Sequence, residues 1–132
     1  KIKKMGMYTE LIFGANLKKD TPKKVINALK YMIGETEGKP NDFPLPDGRC
    51  EWLFRCASYY FGVSNPVSKM WFDEISKNWI VSTRSNIKNY NGEIEAFLEW
   101  IKPYINGGSG ARDMYAIVTY EESEEPEIYY LD

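Results

Sequence analysis

Apolar residues fall into blocks of two different periods along this chain, and the switches between them mark out its elements. Residues 7–17 gather Tyr8, Thr9, Ile12 and Phe13, residue types that favour a pleated, half-buried strand. Asp20 or Thr21 then offers an N-cap, and Pro22 stands at a first-turn position where its missing N–H costs nothing. Val25, Ile26, Leu29, Met32 and Ile33 follow on one helical face, and Gly34 is suited to close that helix. Residues 35–48 hold Pro40, Pro44, Pro46, Gly38 and Gly48, the composition of a loop.

Residues 49–63 alternate: Cys50, Trp52, Phe54 and Cys56 stand against Glu51 and Arg55, which predicts a half-buried strand. Ala57-Ser58 would turn it into a further strand over Tyr59-Tyr60-Phe61, and Asn65-Pro66 would break that one. Residues 69–75 and 79–85 read as a hairpin around Ser76-Lys77-Asn78. A second helix follows Asn89-Tyr90-Asn91-Gly92, with Ile94, Phe97, Leu98, Ile101 and Ile105 on one face and Pro103 ending or kinking its last turn. Gly107-Gly108-Ser109-Gly110 makes a flexible connector to two last strands, 114–120 and 127–131.

Strands interrupted by two segregated amphipathic helices predict an α+β fold with a mostly antiparallel sheet. Asn16-Leu17-Lys18 and Asn86-Ile87-Lys88 each end a strand before a helix, and Val25, Leu29 and Met32 match Ile94, Leu98 and Ile101. Two β-α-β-β halves about a pseudo-twofold axis would produce that repeat; chance likeness of strand-to-helix junctions is the other explanation.

Composition narrows the picture. With 132 residues the chain is read as one domain over 1–132, long enough to bury a core without disulfides or metals. Aromatic content of 15% exceeds what so small a core buries, so some of the ten Tyr and four Trp belong at the surface. A net charge of −2 gives no footprint for double-stranded nucleic acid. No apolar run is long enough for a membrane span, and Thr9 and Glu10 interrupt any signal-peptide core after Lys1-Ile2-Lys3-Lys4. Cys50 and Cys56, about 20 Å apart on one extended strand, would be too far apart to bridge. Two thiols in a chain without His also lack the four ligands of a zinc site, so the thiols read as buried hydrophobes of a cytoplasmic protein.

The candidate chemistry is binding, with no cofactor or metal. Absence of His removes the commonest general base and the usual partner of Ser and Cys nucleophiles. Glu93, Glu95 and Glu99 read as solvated helix carboxylates, and Asp73-Glu74 as partners of Arg84 across the hairpin. Gly107-Gly108-Ser109-Gly110 is no phosphate loop, because it leaves a helix and enters a strand, with Ala111-Arg112 in place of Lys-Ser/Thr. The four arginines, Arg49, Arg55, Arg84 and Arg112, all fall in or beside predicted strands. Arg55, Arg84 and Arg112, interleaved with Trp52, Tyr59, Trp71 and Trp79, are open to three readings. They would form a pocket that stacks a base and grips a phosphate, a protein-binding hot spot, or cross-strand packing in which each Arg stem covers a ring. Residues 113–132 add seven acids and no Lys or Arg, either a solvated hairpin tip or a patch for a basic partner.

Met7-Tyr8-Thr9-Glu10-Leu11-Ile12, Ser58-Tyr59-Tyr60-Phe61, and the stretch from Asn86-Ile87-Lys88 to Trp100-Ile101-Lys102-Pro103-Tyr104-Ile105 resemble a family of small phage and prophage proteins. None of these segments is a functional motif, so the resemblance carries over no site residue. It implies a setting: a non-enzymatic counter-defence factor that binds a nucleotide-like immune signal or a host defence protein, possible also as a homo-oligomer. The acidic C-terminal hairpin and the second helix resemble, more distantly, bacterial toxin-immunity proteins that plug a toxin's active site. A small enzyme acting on a nucleotide without His or metal is the remaining alternative.

Overall fold

The computed structural model describes residues 8–46, 48–58, 62, 67–107 and 113–131. Five strands, β1 Thr9–Asn16, β2 Lys69–Asp73, β3 Asn78–Ile87, β4 Met114–Tyr120 and β5 Glu127–Tyr130, form one sheet in the order β2-β3-β1-β4-β5. Every pairing is antiparallel. Helix α1, Lys23–Ile33, carries the chain from β1 to β2 past β3, and α3, Glu93–Ile101, carries it from β3 to β4 past β1. Two interleaved, split β-α-β units result. The α+β class holds, and the two halves take the form β1-α1-β2-β3 and β3-α3-β4-β5, with β3 common to both.

Alternation along β1 decides which face of the sheet is covered. Leu11 and Phe13 point into the core, while Ile12 is half-buried and Gly14 exposed on the other side. Register carries the same split outward: Leu11 lies between Ser85 and Val118, and Ile12 between Arg84 and Ile117. Phe13 meets Phe97 of α3 edge-on at 5.1 Å, and Phe97 meets Phe54 at 5.2 Å. Helices therefore cover one face and leave the other outward.

Residues 49–63 depart from the expected strand. Arg49–Trp52 is a short helix, α2, and Gly48 N–H donates to the Glu51 carboxylate at 3.0 Å, a capping interaction. The chain buries Cys50, Leu53 and Phe54, which are spaced three and one apart as on a helix, and leaves Trp52 55% exposed. Alternation of Cys50, Trp52 and Phe54 was a coincidence of residue types. Arg49 and Arg55 consequently lie outside any strand. In place of the turn expected at Ala57-Ser58 the chain pairs with β3, where Asn86 N–H donates to Ala57 O at 3.1 Å. Tyr59-Tyr60-Phe61, Asn65-Pro66 and Gly108-Ser109-Gly110 lie outside the described residues.

Other boundaries moved less. Pro22 is the N-cap rather than a first-turn residue, with no side-chain cap, and Gly34 closes α1 at φ +94°. Pro103 falls in a 3₁₀ turn, Lys102–Tyr104, that finishes α3. The hairpin between β2 and β3 forms with Lys77 at φ +61° in its turn. Asp73 does not reach Arg84; its carboxylate accepts from Ile75 N–H and Ser76 Oγ, while Glu74 pairs with Lys77 at 3.4 Å. Glu93 is buried, not solvated, with Arg49 at 3.6 Å. Glu95 accepts from Asn89 at 2.8 Å and from Tyr120.

Glu10 is a carboxyl buried within the sheet. It is almost wholly buried beside Arg84's strand; Ser58 Oγ donates to its Oε2 at 2.5 Å, while Oε1 has no hydrogen-bond partner among the described residues. Burial pushes this carboxyl above its ordinary value of 4.5, and Ser58 and Arg84 pull part of the shift back. A raised folded-state value means that Glu10 favours folding below pH 4.5 and loses that contribution as pH rises through the folded value. Glu10→Gln keeps an acceptor for Ser58 and removes the charge. Melting curves should show the variant gaining on the parent as pH rises above 4.5 and levelling off once Glu10 is ionised in the folded chain; a difference that stays flat with pH would refute the buried-carboxylate account.

Candidate functional site

Where β1 ends, the chain is fastened by its own backbone. Leu17 N–H donates to Trp79 O and Lys18 N–H to Tyr104 O, each at 2.8 Å. Asn106 N–H returns to Asn16 O at 2.8 Å, and Thr21 donates through both N–H and Oγ1 to Lys18 O. These bonds hold the strand-to-helix loop and leave its side chains free to project. Lys18, Lys19 and Lys23 do so around a hollow of about 260 Å³ along one flank of α1. Lys30 from the last turn of α1 and Lys77 from the hairpin turn complete five ammonium groups.

The far wall is aromatic. Trp79 and Phe72 stand edge to face at 5.4 Å, and Lys30 Nζ lies 4.7 Å from the Trp79 ring centre. Thr21, Asn27 and Asn78 contribute neutral polar groups, and among the described residues no carboxylate lines the hollow. Lys77 is paired with Glu74, but Lys18, Lys19, Lys23 and Lys30 have no ion pair among the described residues. The first turn of α1 contains no acid, so its N–H groups add a positive field on the same side. Such a place attracts an anion and offers a ring face to a flat group attached to it.

The arginine-centred surface expected from the sequence is spread over the molecule. Arg55 Nε donates to Met32 O at 3.2 Å and its Nη2 to Tyr31 O, so its fork holds the last carbonyls of α1. Trp52 and Tyr31 sandwich that guanidinium, at 5.5 and 5.1 Å. Arg84 lies on the outward face of the sheet opposite Ile12, beside a shallow hollow that Val67 and Ser82 share. Trp71 shares that face, with Lys69 over its ring at 4.9 Å. It pairs with Ile80, four positions from Arg84, about 13 Å along the strand. Trp79 points to the helix side. Tyr59 and Arg112 lie outside the described residues. Of the five described residues among the seven, Arg55 and Trp52 come together, and Trp79 alone lines the lysine-walled hollow.

Sequence reasoning passed over those lysines because each reads singly as a solvated side chain. A signal was present nonetheless. Lys18-Lys19-Asp20-Thr21-Pro22-Lys23-Lys24 places four lysines across a strand-to-helix junction, the orientation that Gly107-Gly108-Ser109-Gly110 lacks. Compared with protein-family models, curated protein sequences and solved structures, the chain finds no match. Its geometry alone carries a functional reading.

Arg55→Ala removes a charged donor from two helix-terminal carbonyls and should cost about 1–3 kcal/mol in urea unfolding. Lys30→Ala should cost less than about 1 kcal/mol, since its ammonium makes only a cation–π contact over the partly buried Trp79 ring. Equal losses would show that Arg55 is no brace.

Proposed function

We propose that this protein is a non-enzymatic binding protein that sequesters a small, phosphate-bearing, nucleotide-like ligand in the lysine-walled hollow beside α1. The observation that carries the reading is the convergence of five lysines on two aromatic rings with no carboxylate among the described lining residues. Ammonium groups act on phosphate as point charges, and four that have no ion pair among the described residues repel one another in one hollow. Trp79 and Phe72 give a base a face or an edge to rest on. A volume of about 260 Å³ lies near the lower end for small-molecule sites and suits a nucleotide held partly in the open.

The setting follows from the resemblance to phage proteins, in which removing a host's nucleotide signal is a counter-defence. Sequestration without chemistry also fits a lining whose polar groups are Lys, Thr and Asn. Binding a host defence protein is the second reading, supported by the exposed Glu121, Glu122, Glu124 and Glu125 in the turn between β4 and β5. Membrane attachment by a spanning segment is not part of either reading, as no helix among the described residues is long and apolar enough to cross one.

A panel of AMP, ADP-ribose and cyclic dinucleotides, scored by melting temperature, tests the leading reading. At least one compound should stabilise the protein, and heat release should return it chemically intact. Lys23→Ala and Lys30→Ala should each weaken binding about tenfold, in line with the loss of one charge-assisted contact, and raising salt from 50 to 300 mM should weaken it further. Stabilisation by none of these compounds sinks the reading; recovery of an altered ligand would make the protein an enzyme. Capture of a host protein, lost on charge reversal at Glu122, Glu124 and Glu125, would favour the second reading.

A further inference from the structure

The lysine-walled hollow does not end at the helix. Lys23 and Asn27 line it and also line a second hollow of about 380 Å³ lying over the exposed side of α1. Lys24 and Asp42 line that second hollow and also a third, of about 280 Å³, on the opposite flank. At 100° per residue, Lys23, Lys24 and Asn27 fall on the helix face turned away from the buried Val25, Ala28, Leu29 and Met32. Three hollows thus join into one groove that crosses the start of α1 from flank to flank.

Both ends of this groove are aromatic. One end is Trp79 with Phe72. The other is Trp100 with Tyr104, ring centres 6.4 Å apart, and Trp100 is held in turn by Phe97 at 6.1 Å. Between the ends, at the positive N-terminal side of α1, stand Lys23, Lys24 and Asp42. Lys23 also lines the Trp79 hollow, whereas Lys24 and Asp42 also line the Trp100 hollow, so the carboxylate lies towards the Trp100 end. A phosphate fits at Lys23 and Lys24 and is repelled by Asp42, whose carboxylate instead accepts from an amine or hydroxyl near the second ring.

Resting on the proposed anion-binding role of the first hollow, we infer that the ligand has two bases joined through phosphate, a dinucleotide, straddling α1 with one base at Trp79 and the other at Trp100. The helix with its side chains is about 10–12 Å thick, so the two ends cannot be served by one base. A mononucleotide fills the first hollow and leaves the second aromatic end empty. The linked pair has two sources, a free dinucleotide or a piece of single-stranded nucleic acid.

Titration calorimetry on the full chain with AMP, linear diadenylate, cyclic diadenylate and a ten-nucleotide oligoadenylate separates these. One of the two dinucleotides should bind at least tenfold more tightly than AMP. Trp100→Leu, which keeps apolar bulk, and Lys24→Ala, on the helix exterior, should each bring the ratio of dinucleotide to AMP affinity close to one. A ratio near one in the parent, or variants that weaken AMP and dinucleotide alike, overturns the inference while leaving the first hollow as an anion site. An oligonucleotide tenfold tighter than either dinucleotide overturns the free-dinucleotide source. Failure of AMP and all the others to bind overturns both the inference and the reading beneath it.

Discussion

Phe13 is the contact on which the arrangement turns. It sits on the central strand, and the rings of Phe54 and Phe97 close on it from the chain after α2 and from α3. Burial of those three side chains, each worth about 1.5–3 kcal/mol in transfer alone, fixes both helix position and sheet face together. With α3 seated on β1, its end brings Trp100 and Tyr104 against α1, and Ile105 pairs with Leu17. One aromatic cluster thus positions the Trp100 and Tyr104 end of the groove against the strand-to-helix loop.

Legibility in the sequence followed periodicity. Helix α1, helix α3, the β2–β3 hairpin and the pair β4–β5 were plain because each keeps one period for seven or more residues or carries its own turn chemistry. Arg49–Trp52 was misread because four residues satisfy both an alternating and a helical pattern; Gly48 and Glu51, which cap it, were the deciding signs. Strand order could not come from local pattern. The repeated Asn16-Leu17-Lys18 and Asn86-Ile87-Lys88 pointed to related halves, yet sharing of β3 between them is a property of pairing at long range.

The candidate site shows the same division. Trp79 was singled out for its residue type, and its neighbours in space were not, since Lys18, Lys30 and Lys77 come from three separate elements. Arginine placement looked meaningful because all four residues seemed to lie near strands. In the folded chain Arg55 is spent on helix carbonyls and Arg49 on the buried Glu93. The guanidinium forks of Arg55 and Arg49 serve the scaffold, and ammonium groups stand at the cleft, in keeping with the compact, mobile charge of one and the planar fork of the other.

Anchoring of the strand-to-helix loop through amides and carbonyls, with the Thr21 hydroxyl as the one side-chain donor described and no lysine side chain among the bonds, has an evolutionary consequence. Residues at 18, 19 and 23 can be exchanged without loosening the turn that bears them, because none of the bonds made by Leu17, Lys18 or Thr21 backbone atoms depends on the identity of a lysine. Selection could then retune which anion is held, charge by charge, on an unchanged frame. A lineage facing a changing set of chemical signals would gain most from that kind of adaptability.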